Sequence, residues 1–210
     1  YGYPNGTGDV AVIAFEYFTG GPGRFIYVDA DVTVSVIRTT GYRSEGTIPA
    51  LSTLNGKTLH LKSAAGSALI EGAAWSSYSW QLQINVPCRL LSDVDMRVVS
   101  NRILALTSTF EGTNDLHLDA AQGMVASRVG GTPGYSGTIY TECSVGGILF
   151  QNQSYMYTNA TIVVKGGTTL QVANAARLGA LVLQPGARLD APFGSPSSND
   201  NTVTILGTVT

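Results

Sequence analysis

Charge is the scarcest property of this sequence. Only 26 of its 210 residues are charged, 12 basic and 14 acidic, about half the share usual in soluble domains. Three of the basic residues are lysines (Lys57, Lys62, Lys165), and the formal net charge is −2. Such a chain offers no electrostatic footprint for nucleic acid. An acidic or basic tail is missing as well. There are two cysteines, too few for a disulfide scaffold, and two histidines. No apolar run approaches the ~18 residues that a membrane-spanning helix needs. With 44% hydrophobic residues the chain is also too apolar to be intrinsically disordered.

What replaces charge is hydroxyl and backbone. Serine and threonine number 18 and 22, and glycine adds 25. Alternation of apolar and polar residues dominates. In Phe25–Arg38 the residues Ile26, Val28, Ala30, Val32, Val34 and Val36 alternate with Tyr27, Asp29, Asp31, Thr33 and Ser35. This is the period of a strand with one buried face. The pattern returns at Leu59/Leu61, Leu82/Ile84/Val86, Met96/Val98, Leu104/Leu106, Ile162/Val164, Leu170/Val172, Leu181/Leu183 and Val203/Ile205. Turn signals such as Asn55-Gly56, Gly166-Gly167 and Gln184-Pro185-Gly186 separate the runs. The segment Asp115–Val129 reads as strand and turn, with a short helix as the alternative. Ala173–Arg177 has room for one helical turn. The fold class is all-β.

A repeat narrows it. Similar steps separate Leu59 from Leu82, Leu82 from Leu104, Ile139 from Ile162, Ile162 from Leu181, and Leu181 from Val203. A rhythm of roughly 20–23 residues with several strands per period predicts a β-solenoid, that is, a parallel β-helix. The rhythm fails between Leu104 and Ile139, a gap too wide for one period and too narrow for two. A β-sandwich or jelly roll is therefore the alternative. The chain reads as one β domain over 1–210. Aromatic-rich strands in residues 1–50 cap a solenoid-like part in 55–210, with a pattern break near Thr47–Asn55.

Residues 160–210, TIVVKGGTTLQVANAARLGALVLQPGARLDAPFGS and onward, alternate short apolar pairs with small residues, asparagine and glycine. They resemble β-helical segments of secreted bacterial adhesins, autotransporter passengers and phage tailspikes. The Asn-Pro motifs of two-partner adhesins are missing. The resemblance implies an extracellular, cell-surface or virion setting and a structural role.

Several residues are candidates for function. Trp75, Tyr78 and Trp80, and a second group of Tyr155, Met156 and Tyr157 with Tyr135 and Tyr140, form aromatic clusters that suit a sugar ring or a protein interface. The alternating C-terminal run (Val203, Ile205, Val209) offers a strand for addition to a neighbour's sheet, with internal pairing as the alternative. Cys88 and Cys143 are a disulfide pair or two buried thiols. Asn5, Asn152 and Asn159 begin N-x-S/T sequons. Asp93 and Asp95, followed by Glu111, Asp115 and Asp119 and flanked by Arg97 and Arg102, have the makings of a glycosidase carboxylate pair. The other reading is solvated charge.

His60 and His117 lie in no metal-ligand spacing and read as surface residues. Asp29/Asp31 and Asn199-Asp200-Asn201 lack a calcium loop. No nucleophile elbow or phosphate loop occurs, and no cofactor is implied. The expectation is therefore a non-enzymatic structural or adhesion protein that assembles as a homo-oligomer or polymer and meets a glycan or cell-surface receptor. The alternatives are a carbohydrate-binding or carbohydrate-cleaving β-helix and a viral coat or decoration protein.

Overall fold

The computed structural model describes residues 4–14, 24–43, 49–53, 55–72, 75–76, 80–99, 103–120, 124–127, 134–143, 147–151, 157–173, 177–190 and 204–210. Among them every regular element is a strand and every ladder is parallel. The chain coils through three sheets in turn as far as Phe110–Glu111 and through the first two beyond it, and two short ladders pair Tyr42–Arg43 with Trp75–Ser76 and Arg177–Leu178 with Thr204–Ile205. Sheet 1 is eight strands deep and runs from Val10–Ala14 through Val36–Thr40, Ala68–Gly72, Val94–Val98, Leu116–Asp119, Thr138–Glu142 and Thr161–Val164 to Ala180–Leu183. Sheet 2, also eight deep, runs from Arg24–Val28 to Arg188–Asp190. Sheet 3 stacks Val32–Val34, Leu59–Leu61, Cys88–Leu90 and Phe110–Glu111. This is a β-solenoid, not a sandwich or jelly roll. No helix among the described residues is long and apolar enough to cross a membrane.

Alternation explains the sheets. In Val94–Val98 the residues Val94, Met96 and Val98 are buried while Asp95 and Arg97 face out. Register then turns alternation into continuous rows. Ala11, Ile37, Ile70, Met96, Leu118, Thr141 and Val164 align across sheet 1 and point inward. Sheet 3 contributes the row Val32, Leu59, Cys88 and Phe110. Fully burying each large aliphatic or aromatic side chain of these rows contributes about 1.5–3 kcal/mol. The buried Thr141 hydroxyl is satisfied by donating to the carbonyl of Val163 at 3.4 Å.

On sheet 2, Ala50 and Ala105 occupy outward positions and yet are 3% and 0% exposed. That side of the sheet is covered there as well.

Register also resolves the irregular rhythm. Leu104 lies in sheet 2 and Ile139 in sheet 1, so their separation measures no period. On sheet 1, Ile139 pairs with Leu116, one coil earlier. Leu59 and Leu82 belong to different sheets too, and Leu181 is bridged by Val209. The coils themselves are unequal. On sheet 1 the longest step carries Val36 to Leu69, and the shortest carries Ile162 to Leu181. The strands Val10–Ala14, Arg24–Val28, Val32–Val34 and Val36–Thr40 stack in the same three sheets as the rest.

Asp115–Val129 contains the strands Leu116–Asp119 and Met124–Ser127. Ala173 and Arg177, the ends of the expected helical turn, each belong to a strand. The residues between them lie outside the described set.

Polar side chains stitch coil to coil at the corners. Asp31 Oδ1 accepts from Thr58 N (3.0 Å), Asp93 Oδ1 from Asp115 N (2.9 Å) and Asp115 Oδ1 from Thr138 N (3.1 Å). Two glycines allow the tightest approach. A Cβ at Gly137 would run into the carbonyl of Asn114, and one at Gly179 into that of Ala160.

Both cysteines are free thiols, the second of the two readings. Cys88 is buried in sheet 3, its thiol donating to Val86 O (3.3 Å). Cys143 follows the strand Thr138–Glu142, two strands beyond Val94–Val98 on sheet 1. Two strand spacings come to about 10 Å, more than a disulfide spans. The C-terminal run pairs internally: Ile205 aligns with Leu178, and Val209 bridges Leu181. Val203 lies outside the described residues.

Candidate functional site

The outer face of sheet 1 gathers most of the chemistry that the alternation pushes outward. One outward row places Asp95, His117 and Tyr140 in register across three strands. The adjoining row aligns Arg38, Glu71, Arg97, Asp119 and Glu142. Lys165 ends this row, its ammonium 2.5 Å from Glu142 Oε2. Arg97 reaches Asp95 at 3.6 Å, and Arg38 Nε lies 2.6 Å from Glu71 Oε1. The Arg38 contact is close but not aligned for a hydrogen bond. It is an ion contact. Pairs as exposed as these contribute about 0–1 kcal/mol each.

His117 and Tyr140 stack with ring centroids 4.8 Å apart and 18° between planes. That separation equals the spacing of adjacent strands, so the rings stack along the ladder. Asp95 precedes them in the row and Val163 follows. The ring edges, not the faces, are therefore turned outward. This face offers N–H, O–H and charge to a ligand rather than a flat apolar platform.

The sequence-nominated carboxylates separate. Asp95 faces out beside Arg97. Asp93 sits before the strand and caps the Asp115 amide, so it is committed to the corner. Asp115 repeats that role one coil on, and Asp119 faces out with Asp95. Glu111 aligns with Arg89 and His60 on sheet 3, a different sheet from that of His117. Asp31 is a corner cap and Asp29 is exposed. Arg102 and Asn199-Asp200-Asn201 lie outside the described residues.

The aromatic candidates fare differently. Tyr157 is fully buried, as is Tyr135, and the two rings meet edge to face at 6.1 Å and 78°. Tyr157 is thus a core residue, not a sugar platform, and it holds a positive φ of 45° that only tight packing sustains. The Tyr135 hydroxyl lies 3.0 Å from the carbonyls of both Asn114 and Thr138. Burial, with Tyr157, Asp115 and Asp93 nearby, pushes its pKa well above the ordinary tyrosine range. The backbone of Trp75 pairs with Tyr42 at a corner, and Trp80 opens the strand Trp80–Ile84. Tyr78, Tyr155 and Asn152 lie outside the described residues. Asn5 and Asn159 are exposed.

Sequence reading passed over Tyr140, Glu142 and Lys165 as a unit. The signal was available only as spacing, because His117 and Tyr140 stand one coil apart. No protein-family model, no curated protein and no solved structure matches this chain.

Proposed function

We propose that this chain is a structural β-solenoid segment of an extracellular or virion protein, such as a fibre, spike, filament or adhesin, that works as a homo-oligomer and not as an enzyme. The observation that carries the reading is the continuity of the inward rows, which run coil after coil through the whole described length. Strand edges are committed to axial pairing, and the ion pairs Arg38–Glu71 and Lys165–Glu142 run along the same axis. A surface so poor in charge suits contact with other copies or with a glycan coat. Light scattering after size exclusion, together with electron microscopy of the same fractions, tests it. The expected result is a defined oligomer or a rod. A stable monomer that stays monomeric at high concentration overturns it.

A second reading is supported by Asp95, Arg97, His117 and Tyr140 sharing one face: a carbohydrate-binding or carbohydrate-cleaving solenoid. Polysaccharide binding and cleavage are measured with the protein and its Asp95→Asn variant. Cleavage lost in the variant favours an enzyme, and no cleavage by either form excludes one.

A further inference from the structure

A cavity of about 230 Å³ lies at the first coil. Ala11 of sheet 1, Ile26 and Val28 of sheet 2 and Val32 of sheet 3 wall it, with Ile37 and Leu59 from the following coil behind them. The void lies at the end of the stack, where Val10–Ala14, Arg24–Val28 and Val32–Val34 are the edge strands of their sheets. The sheet 1 row that begins at Ala11 reaches Met96 three strands later. The sheet 3 row that begins at Val32 reaches Phe110 three strands later. Met96 and Phe110 are fully buried. The coil of Met96 and Phe110 has bulk where the first coil carries an alanine and a valine, and among the described residues the space at the first coil is open.

The rim differs from the wall. Asn5 stands at it with its position fixed twice: its backbone N–H donates to Asp9 Oδ2 at 2.7 Å, and its Oδ1 accepts from Thr33 N at 2.9 Å. The exposed carboxylate of Asp29 is also at the rim. An apolar cavity of roughly 150 Å³ already stays dry and admits a benzene ring. A carboxylate at the mouth accepts a hydrogen bond from a hydroxyl and repels a second carboxylate.

We propose that this cavity binds a small uncharged amphiphile, a single aromatic ring or short alkyl chain inside and a hydroxyl at the Asn5 and Asp29 rim. The site is independent of the assembly described above.

The test is titration of the folded protein with p-cresol, 1-hexanol and hexanoate, followed by methyl NMR. The alcohols are expected to give saturable shifts confined to Ala11, Val28, Val32 and Ile37, with hexanoate at least tenfold weaker. Two variants, Val32→Phe and Ala11→Met, introduce the side chains that the coil of Phe110 and Met96 carries in the same rows. Each is expected to lower p-cresol affinity at least tenfold and to raise the melting temperature. Absence of saturable shifts in the unaltered protein overturns the proposal whatever the variants do. So does undiminished p-cresol binding in whichever variant folds, or hexanoate binding equal to that of hexanol.

Discussion

The first coil and the middle coils obey one register but are built to different standards. From Leu82 to Leu118 the inward side chains are large and almost wholly hidden from solvent. In the first coil Ala11, Ile26, Val28 and Val32 are only half-buried, and on the outer side of sheet 2 Phe25 and Tyr27 stack on each other at 5.8 Å while remaining 51% and 48% exposed. The first-coil strands Val10–Ala14, Arg24–Val28 and Val32–Val34 are the edges of their sheets and pair on one side only, whereas the middle strands of sheets 1 and 2 pair on both. Position in the stack therefore separates the two regions, and the small Ala11 adds to it. In a solenoid each coil touches only its neighbours, and stability is close to a sum of local terms. A poorly filled coil is therefore a locally weak one.

Substitutions sharpen that contrast. Leu104→Ala in the packed middle is expected to cost about 3 kcal/mol, and Val32→Ala at the first coil about 1 kcal/mol, measured by urea unfolding. Equal costs would break the comparison. Gly179→Ala drives a methyl into the Ala160 carbonyl and is expected to cost about 2 kcal/mol by overpacking, read by the same method. Asp115→Ala removes the cap on Thr138 N and is expected to cost about 1 kcal/mol, with faster amide exchange at Thr138. Lys165→Ala is the smallest, under about 1 kcal/mol, and the difference should vanish at about 1 M salt.

Alkaline pH probes the middle coils separately. Burial raises the Cys88 thiol above its ordinary 9.0 and the Tyr135 phenol above its ordinary 10.0. The unfolded chain loses these protons first. The stability they confer is present below about pH 9 and declines as pH rises through and beyond those ordinary values. Urea midpoints between pH 7 and 11 check the sign. Cys143, raised by burial and then by Asp119, should alkylate more slowly than a free thiol, and Cys88 only on unfolding.

Strand positions were legible in the sequence because burial on one face writes a period of two. Val94–Val98 and Leu116–Asp119 sit where alternation places them. The coil was legible wherever two markers happened to share a sheet, as Leu82 and Leu104 do. It was lost across Leu104 and Ile139, because period two does not say which of three sheets a strand joins. The candidate site suffered from the same blindness. Asp93 and Asp95 look alike at spacing two, but the corner falls between them and turns Asp93 into a backbone cap. Tyr157 reads as surface because it stands in the run Tyr155-Met156-Tyr157. Its burial depends on Tyr135, one coil away, a partner that only the register reveals.

The variable coil length has a consequence for how this molecule can change. Sheet 1 keeps its ladder although the coil from Val36 to Leu69 is far longer than the coil from Ile162 to Leu181. The difference in length leaves the sheet 1 pairing intact. Foreign peptides inserted at an exposed corner, such as Asn55-Gly56, would be carried at an axial level set by the flanking strands. A single insertion within Val94–Val98 would instead turn Met96 to the solvent and Arg97 to the core. The corners can lengthen and diverge, and the strands cannot.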